Sequence, residues 1–268
     1  MFLLLQKIAP QHLLSRIVGW VANCQIALIK NIFINVIIWK FDVDVSEAER
    51  QKAEEFKSFN DFFTRTLKPG TRPISGLYCS PADGEVSEAG TISDNQILQA
   101  KGLSYSLEKL LANKDVEAYR DGSFMTVYLA PKDYHRVHCP MDATLVDARY
   151  VPGKLFSVNQ YTAANQPDLF ADNERLIMQF ETLHGKMAVI MVGAMIVAAT
   201  QPVWRDQPYR AKTFKQESFE SPLQFRQGDE LGLFQMGSTA IVVLENAVQW
   251  QQVTGTSLRM GEAIVIAE

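Results

Sequence analysis

The sequence predicts an α+β protein in which N-terminal membrane-associating helices, residues 1–70, precede a predominantly β domain, residues 71–268. Three observations carry this reading. Up to Phe41 the chain is rich in Leu, Ile, Val, Phe and Trp. In that stretch it has the basic residues Lys7, Arg16, Lys30 and Lys40 and no acidic one, so the segment is +4 and the remainder −8. From Ser46 the texture becomes charged and helix-favouring until Pro69-Gly70 breaks it. Beyond Arg72 come short apolar runs separated by Gly, Pro, Asn and Asp, the texture of strands and turns.

The first segment, MFLLLQKIAPQHLLSRIVGWVANCQIALIKNIFINVIIWKF, is apolar but repeatedly interrupted. A membrane-spanning helix needs about 20 predominantly apolar residues, and the best window, Ile17 to Trp39, contains Lys30 and three asparagines. A charge near a helix centre is costly in a bilayer. Amphipathic helices lying in the membrane surface, with basic side chains on lipid phosphates, are the expected arrangement; a helical hairpin packed on its own domain is the alternative. No basic stretch precedes FLLL and no clear cleavage site follows, so a signal peptide is not expected.

Next, Ser46–Lys57 favours helix, and Ser58 is a cap for an aromatic-rich helix that Pro69-Gly70 ends. The runs FMTVYLA (ending at Pro131), TLVDARYVPG and AIVVLE read as strands. Met187 to Thr200 reads as one long or two consecutive buried strands broken at Gly193, and is too short to cross a bilayer. There is no parallel βαβ order, repeat, GxGxxG or P-loop. A net charge of −4 argues against a nucleic-acid partner, which needs a basic face. Cys24, Cys79 and Cys139 are odd in number and widely spaced, which suits a reducing compartment.

The chemistry-bearing residues are few. In LFQMGSTAIVVLEN, Gly237, Ser238 and Thr239 stand directly before an apolar strand. On local grounds they form a turn; with a base nearby, Ser238 becomes a nucleophile. His135 and His138 lie together in PKDYHRVHCP. Their spacing of three puts the rings on opposite faces of an extended chain and on one face of a helical turn. Metal binding with Cys139, rings bonded to backbone at a turn, and general-base catalysis are the three readings open to them. Asp83, in SPADGEV, is either a hairpin-turn residue or the carboxylate that orients a histidine.

Taken together and in this order, SFNDFFTR, RPI, PADG, ILQAKGLSYSL, DYHRVHCP, VPGKLFSVN and MGSTAIVV resemble the phosphatidylserine decarboxylase family, over a region from about Ser58 to the end. The resemblance implies an α+β body with a β-rich catalytic core, made as a zymogen that cuts itself between Gly237 and Ser238. The products would be a β chain, 1–237, and an α chain, 238–268, joined as a heterodimer that could itself dimerise. Met236 stands where the family usually has Leu, a change of little consequence for volume.

It also implies that Ser238 becomes a covalent pyruvoyl group (cofactor: pyruvate) through which phosphatidylserine is converted to phosphatidylethanolamine and carbon dioxide in phospholipid biosynthesis. His138, oriented by Asp83, is the implied base for self-cleavage, and His135 the acid or positioning group for decarboxylation. Phe156, Ser157 and Asn159 are expected to line the head-group site. No metal is expected. The expected location is peripheral, on the cytoplasmic side of the cell membrane, against an anionic surface. The competing expectations are a pyruvoyl-dependent decarboxylase of another amine or lipid, and a non-catalytic membrane-binding β domain.

Overall fold

The structure is a computed structural model of the 268-residue chain. It describes residues 3, 6, 10–113, 116–195, 200–209, 213–217, 219–235 and 238–266. Helix α1 (Gln11–Ala22) and helix α2 (Ala27–Phe41) come first, bent by 108° at their junction. No single helix among the described residues is long and apolar enough to cross a membrane. One face of α2 packs on the body: Ile34 is fully buried beside Phe56, Phe59 and Phe62. Lys30 Nζ, also buried, donates to the Ala53 carbonyl at 3.0 Å. The opposite face exposes Leu28, Ile32, Val36 and Trp39, at the three- and four-residue spacing of a helical stripe.

The expected helix over Ser46–Lys57 is not formed. That stretch holds only a 3-10 turn at Ala53–Glu55 and an antiparallel bridge, Ala48 to Leu67, flanked by Glu49 N–H to the Thr66 carbonyl and Lys68 N–H to the Glu47 carbonyl. Pairing with a distant segment outweighs local propensity here. Ser58 does cap the next helix, α3 (Phe59–Phe63), accepting from Asp61 N–H at 3.2 Å. That helix ends at Thr64, well before Pro69-Gly70.

Strands follow: β1 (Gly84–Thr91), β2 (Gln96–Ala100), β3 (Leu103–Ser106), β4 (Ser123–Leu129), β5 (Arg136–His138), β6 (Ala143–Val151), β7 (Arg175–Thr182) and β8 (Gly185–Gly193). Then come β9 (Thr200–Pro202), β10 (Lys215–Glu217), β11 (Leu223–Phe225), β12 (Glu230–Phe234), β13 (Ser238–Leu244) and β14 (Ser257–Leu258). The short helices α4 (Leu107–Leu111), α5 (Gln160–Ala163) and α6 (Leu169–Asp172) lie between strands. The core is therefore predominantly β.

The main sheet has nine strands in the order β10-β6-β7-β8-β13-β4-β1-β14, with β11 also on β6. Strand β13 sits in its middle, antiparallel to β8 on one side and β4 on the other. Both faces are covered. Ala240 and Val242 pack with Val127, Val189 and Met191 on one face, and Ile241 and Val243 with Phe124, Ile190 and Val192 on the other. This explains why β13 reads as an unbroken apolar run rather than an alternating one. The apolar run from Met187 divides as its glycine suggests, β8 ending at Gly193 and β9 joining the separate sheet β5-β12-β9.

Candidate active site

Ser238 is the first residue of β13, opposite Leu129 of β4 and Gly193 of β8. It is fully buried, and its Oγ has no hydrogen-bond partner among the described residues. The local turn reading does not apply to it, because its backbone already belongs to the central ladder. Gly237 lies outside the described residues.

The loop that leaves β4 after Leu129, the residue opposite Ser238, carries the two histidines, and β5 then pairs with β12. Phe234, the last residue of β12, donates its N–H to the His135 carbonyl at 3.1 Å, four residues ahead of Ser238. His135 is fully buried, with its ring 3.9 Å from that of Phe63 in α3. Its Nδ1 faces the Asp133 carbonyl at 2.8 Å. A carbonyl only accepts, so Nδ1 carries the proton and Nε2 keeps the lone pair. Nε2 has no partner among the described residues. Burial pushes the His135 pKa down to about 3, and the nearby Arg65 charge adds to the effect, while the bond to Asp133 opposes it.

His138 is held differently. Its Nδ1 faces the Gly228 carbonyl at 2.8 Å, so Nε2 accepts from the Tyr134 hydroxyl at 3.1 Å. Burial lowers its pKa, opposed by the bond to Gly228. Both rings are thus neutral and of fixed tautomer. They point into different surroundings, as the spacing of three in an extended segment requires.

Asp83 is also buried, but its carboxylate is engaged elsewhere: Oδ1 accepts from Arg72 Nε at 2.9 Å and from Met260 N–H at 2.8 Å, and Oδ2 from Arg72 Nη2 at 2.5 Å. No hydrogen bond joins Asp83 to His138 among the described residues. The link is through backbone, because His138 N–H donates to the carbonyl of Pro81, two residues before Asp83. Asp83 does not open a hairpin; Gly84 after it starts β1 with φ +158°, where a side chain would collide with the Tyr128 carbonyl.

The residues expected around the head group have visible packing duties. Phe156 is buried in the core, Ser157 N–H donates to Gln6 Oε1 at 2.8 Å, and Asn159 caps α5 by accepting from Thr162 N–H at 2.9 Å. Cys139 Sγ faces the Met141 carbonyl, and burial raises its pKa to about 12, which keeps it a neutral thiol. Asp133, in the loop, accepts from Ala130 N–H at 2.7 Å, and burial pushes its carboxyl up to about 6.

A family model described as Phosphatidylserine decarboxylase matches residues 59–266. The chain belongs to that family. A further model, described as PSD, matches residues 1–42. The phosphatidylserine decarboxylase proenzyme of Psychrobacter arcticus is 46% identical over 276 residues, spanning 100% of this chain and 99% of its own. Those of Pseudomonas fluorescens and Acinetobacter baylyi are 44% and 46% identical, spanning 98% and 94% of this chain and 96% and 90% of theirs.

Within this decarboxylase family framework, sequence reasoning missed three partners of the expected site residues: Tyr134 on His138, Phe63 on His135 and Arg72 on Asp83. Each lies inside a motif already quoted, DYHRVHCP, SFNDFFTR or RPI, so the signal was present as a block without a role attached to its members.

Proposed function

We propose that this chain is a self-processing, pyruvoyl-dependent phosphatidylserine decarboxylase that works at an anionic membrane surface. The observation that carries the reading is Ser238: a buried hydroxyl without a partner among the described residues, at the start of the central strand, in a chain of this family. In the first step Ser238 Oγ attacks the Gly237 carbonyl carbon, the amide C–N bond breaks, and an ester replaces it. Loss of the Ser238 α-proton then expels the Gly237 carboxylate, and one water converts the resulting enamine to a ketone with release of ammonia. His138 is the proposed acceptor of the serine proton, with its basic Nε2 first released by Tyr134. Asp83 is assigned a positioning role, fixing with Arg72 and Met260 the turn whose Pro81 carbonyl holds His138.

A pyruvoyl group at position 238 supplies a carbonyl that can condense with the substrate amine and accept the electron pair left as carbon dioxide departs. The site fits such a group, since Ser238 is its precursor and is shielded from solvent. His135 is proposed to manage the proton at the substrate carbon. Phe156, Ser157 and Asn159 stay the proposed head-group loop, tied to the N-terminal segment through Ser157 to Gln6 and Leu155 to Gln11. The exposed stripe of α2, with Leu13, Ile17 and Trp20 of α1, is the proposed face toward the lipid, on the cytoplasmic side of the cell membrane.

The experiment is intact mass and a denaturing gel. Wild type should separate into residues 1–237 and 238–268, the second carrying a pyruvoyl end, and Ser238→Ala should stay whole and inactive. A Ser238→Ala protein that still cuts itself would remove the self-processing reading.

A further inference from the structure

Three buried side chains beside the histidine loop carry polar atoms with no partner among the described residues. They are Arg65 (Nε and Nη1), Asn60 (Nδ2 and Oδ1) and His135 (Nε2). Their exposures are 3%, 5% and 0%. They belong together in space. Arg65 Nη2 donates to the Lys132 carbonyl at 3.0 Å and the Asp133 carbonyl at 3.4 Å, and the latter oxygen also accepts from His135 Nδ1. Asn60 and Phe63 are three apart on α3 and share its face, and Phe63 is the ring packed at a tilt against His135.

Buried polar groups lose water, and a fold normally replaces it. Here the side chains that carry unreplaced groups gather at one loop, Arg65 and His135 sharing the Asp133 carbonyl, which offers a place for a polar ligand. Their chemistry is specific. A guanidinium only donates and keeps its positive charge, so its free N–H groups suit an anion. His135 Nε2, with the proton fixed on Nδ1, only accepts, so it suits an amine N–H. Asp83 and Asp133 act on Arg65 through space, but Asp83 is bonded to Arg72 and Met260 N–H, and Asp133 to Ala130 N–H. An anion and an amine held by a short spacer would satisfy both halves.

We infer that Arg65, with Asn60, forms a subsite for the phosphodiester of the lipid head group and holds the head-group amine at His135, on the path to position 238. This rests on the proposed decarboxylation. Phosphate is chosen over carboxylate because the carboxylate must leave; a guanidinium gripping it would stabilise the ground state, whereas the phosphate is unchanged through the reaction.

The test titrates Ser238→Ala protein, which has no ketone for an amine to join, with two probes. Glycerophosphoethanolamine keeps the phosphodiester and amine and lacks the carboxylate; L-serine keeps the carboxylate and lacks the phosphate. The expected result is calorimetric binding of the first alone, weakened about tenfold or more by Arg65→Gln, the factor for losing a charge-assisted hydrogen bond. In the Ser238-containing background, Arg65→Gln should still be cut into two chains and show a raised KM with kcat little changed. Arg65 also holds loop carbonyls, so Arg65→Lys is measured beside it and should recover part of the KM. Binding of serine alone, or unchanged affinity and KM in both Arg65 variants, overturns the subsite. Wild type that decarboxylates while its Ser238→Ala form binds neither probe overturns the subsite and spares the reaction. A wild type with no pyruvoyl mass removes the reaction and the subsite with it.

Discussion

At position 135 a histidine is buried as a neutral ring, and the consequence is a sign that can be measured. With the folded pKa near 3 and the unfolded one near 6.5, the unfolded chain binds the proton more readily over that window. The stability this residue contributes is therefore fully present above about pH 6.5 and falls as pH drops toward 3. His135→Gln should flatten the loss of Tm between neutral and acid pH relative to wild type; an unchanged slope would mean that the ring is solvated in the folded state. The two histidines should also separate by step. His138→Ala is expected to remain uncut, while His135→Ala yields two chains and a pyruvoyl mass but releases little carbon dioxide from phosphatidylserine. A His135→Ala chain that stays whole beside a His138→Ala chain that matures would reverse the assignment.

At the scale of elements, α2 is apolar on two sides for two reasons. Ile34 and Phe33 meet the aromatic cluster of α3, whereas Leu28, Ile32, Val36 and Trp39 are exposed. An exposed apolar stripe of this length is costly in water and suits a lipid surface. Deleting residues 1–40 should weaken co-sedimentation with anionic vesicles, and Ile32→Gln with Trp39→Gln should do so while leaving Ile34 and its packing in place. Higher salt should weaken wild-type binding through screening of the basic residues. Equal pelleting of truncated and full-length protein would move the membrane contact elsewhere.

The elements also show where reading a sequence succeeds. The strand texture after Arg72, the cap at Ser58 and the break at Gly193 are local signals, and they survive folding. The stretch Ser46–Lys57 misled because its partner, the Thr66–Lys68 backbone, is not a neighbour in sequence. The site divides in the same way. Ser238, His135, His138 and Asp83 could be named as residue types in motifs, but the bonds that fix them reach far along the chain. His138 joins Gly228, 90 residues away, and Asp83 joins Met260, 177 residues away. No spacing rule over a few residues carries such contacts.

Across the whole molecule, the proposed cut falls beside the strand that holds the main sheet together. Ser238 to Leu244 pair residue for residue with β4 and β8, and β14, from the same proposed fragment, closes the sheet edge on β1. Burying Ile241, Val242, Val243 and Leu244 contributes about 1.5–3 kcal/mol each before ordering costs, besides the backbone ladder. The two products should therefore migrate as one species in size exclusion under native conditions and part only in denaturant. Separate elution without denaturant would contradict this placement of β13.

That central position has a further consequence for the life of the protein. While the chain is whole, β13 reaches its slot between β8 and β4 by an intramolecular search, guided by its connection to β12. Once the bond before Ser238 is cut, the same strand belongs to a separate peptide, and reassembly becomes a bimolecular encounter between an open, apolar sheet and a free strand. Maturation would thus discard the ability to refold: the precursor remembers its structure, and the active form only keeps it. Unfolded in denaturant and diluted, Ser238→Ala protein should recover its native spectrum, whereas mature protein treated the same way should aggregate or stay unfolded. Equal recovery of both would show that the strand finds its place without the covalent tether.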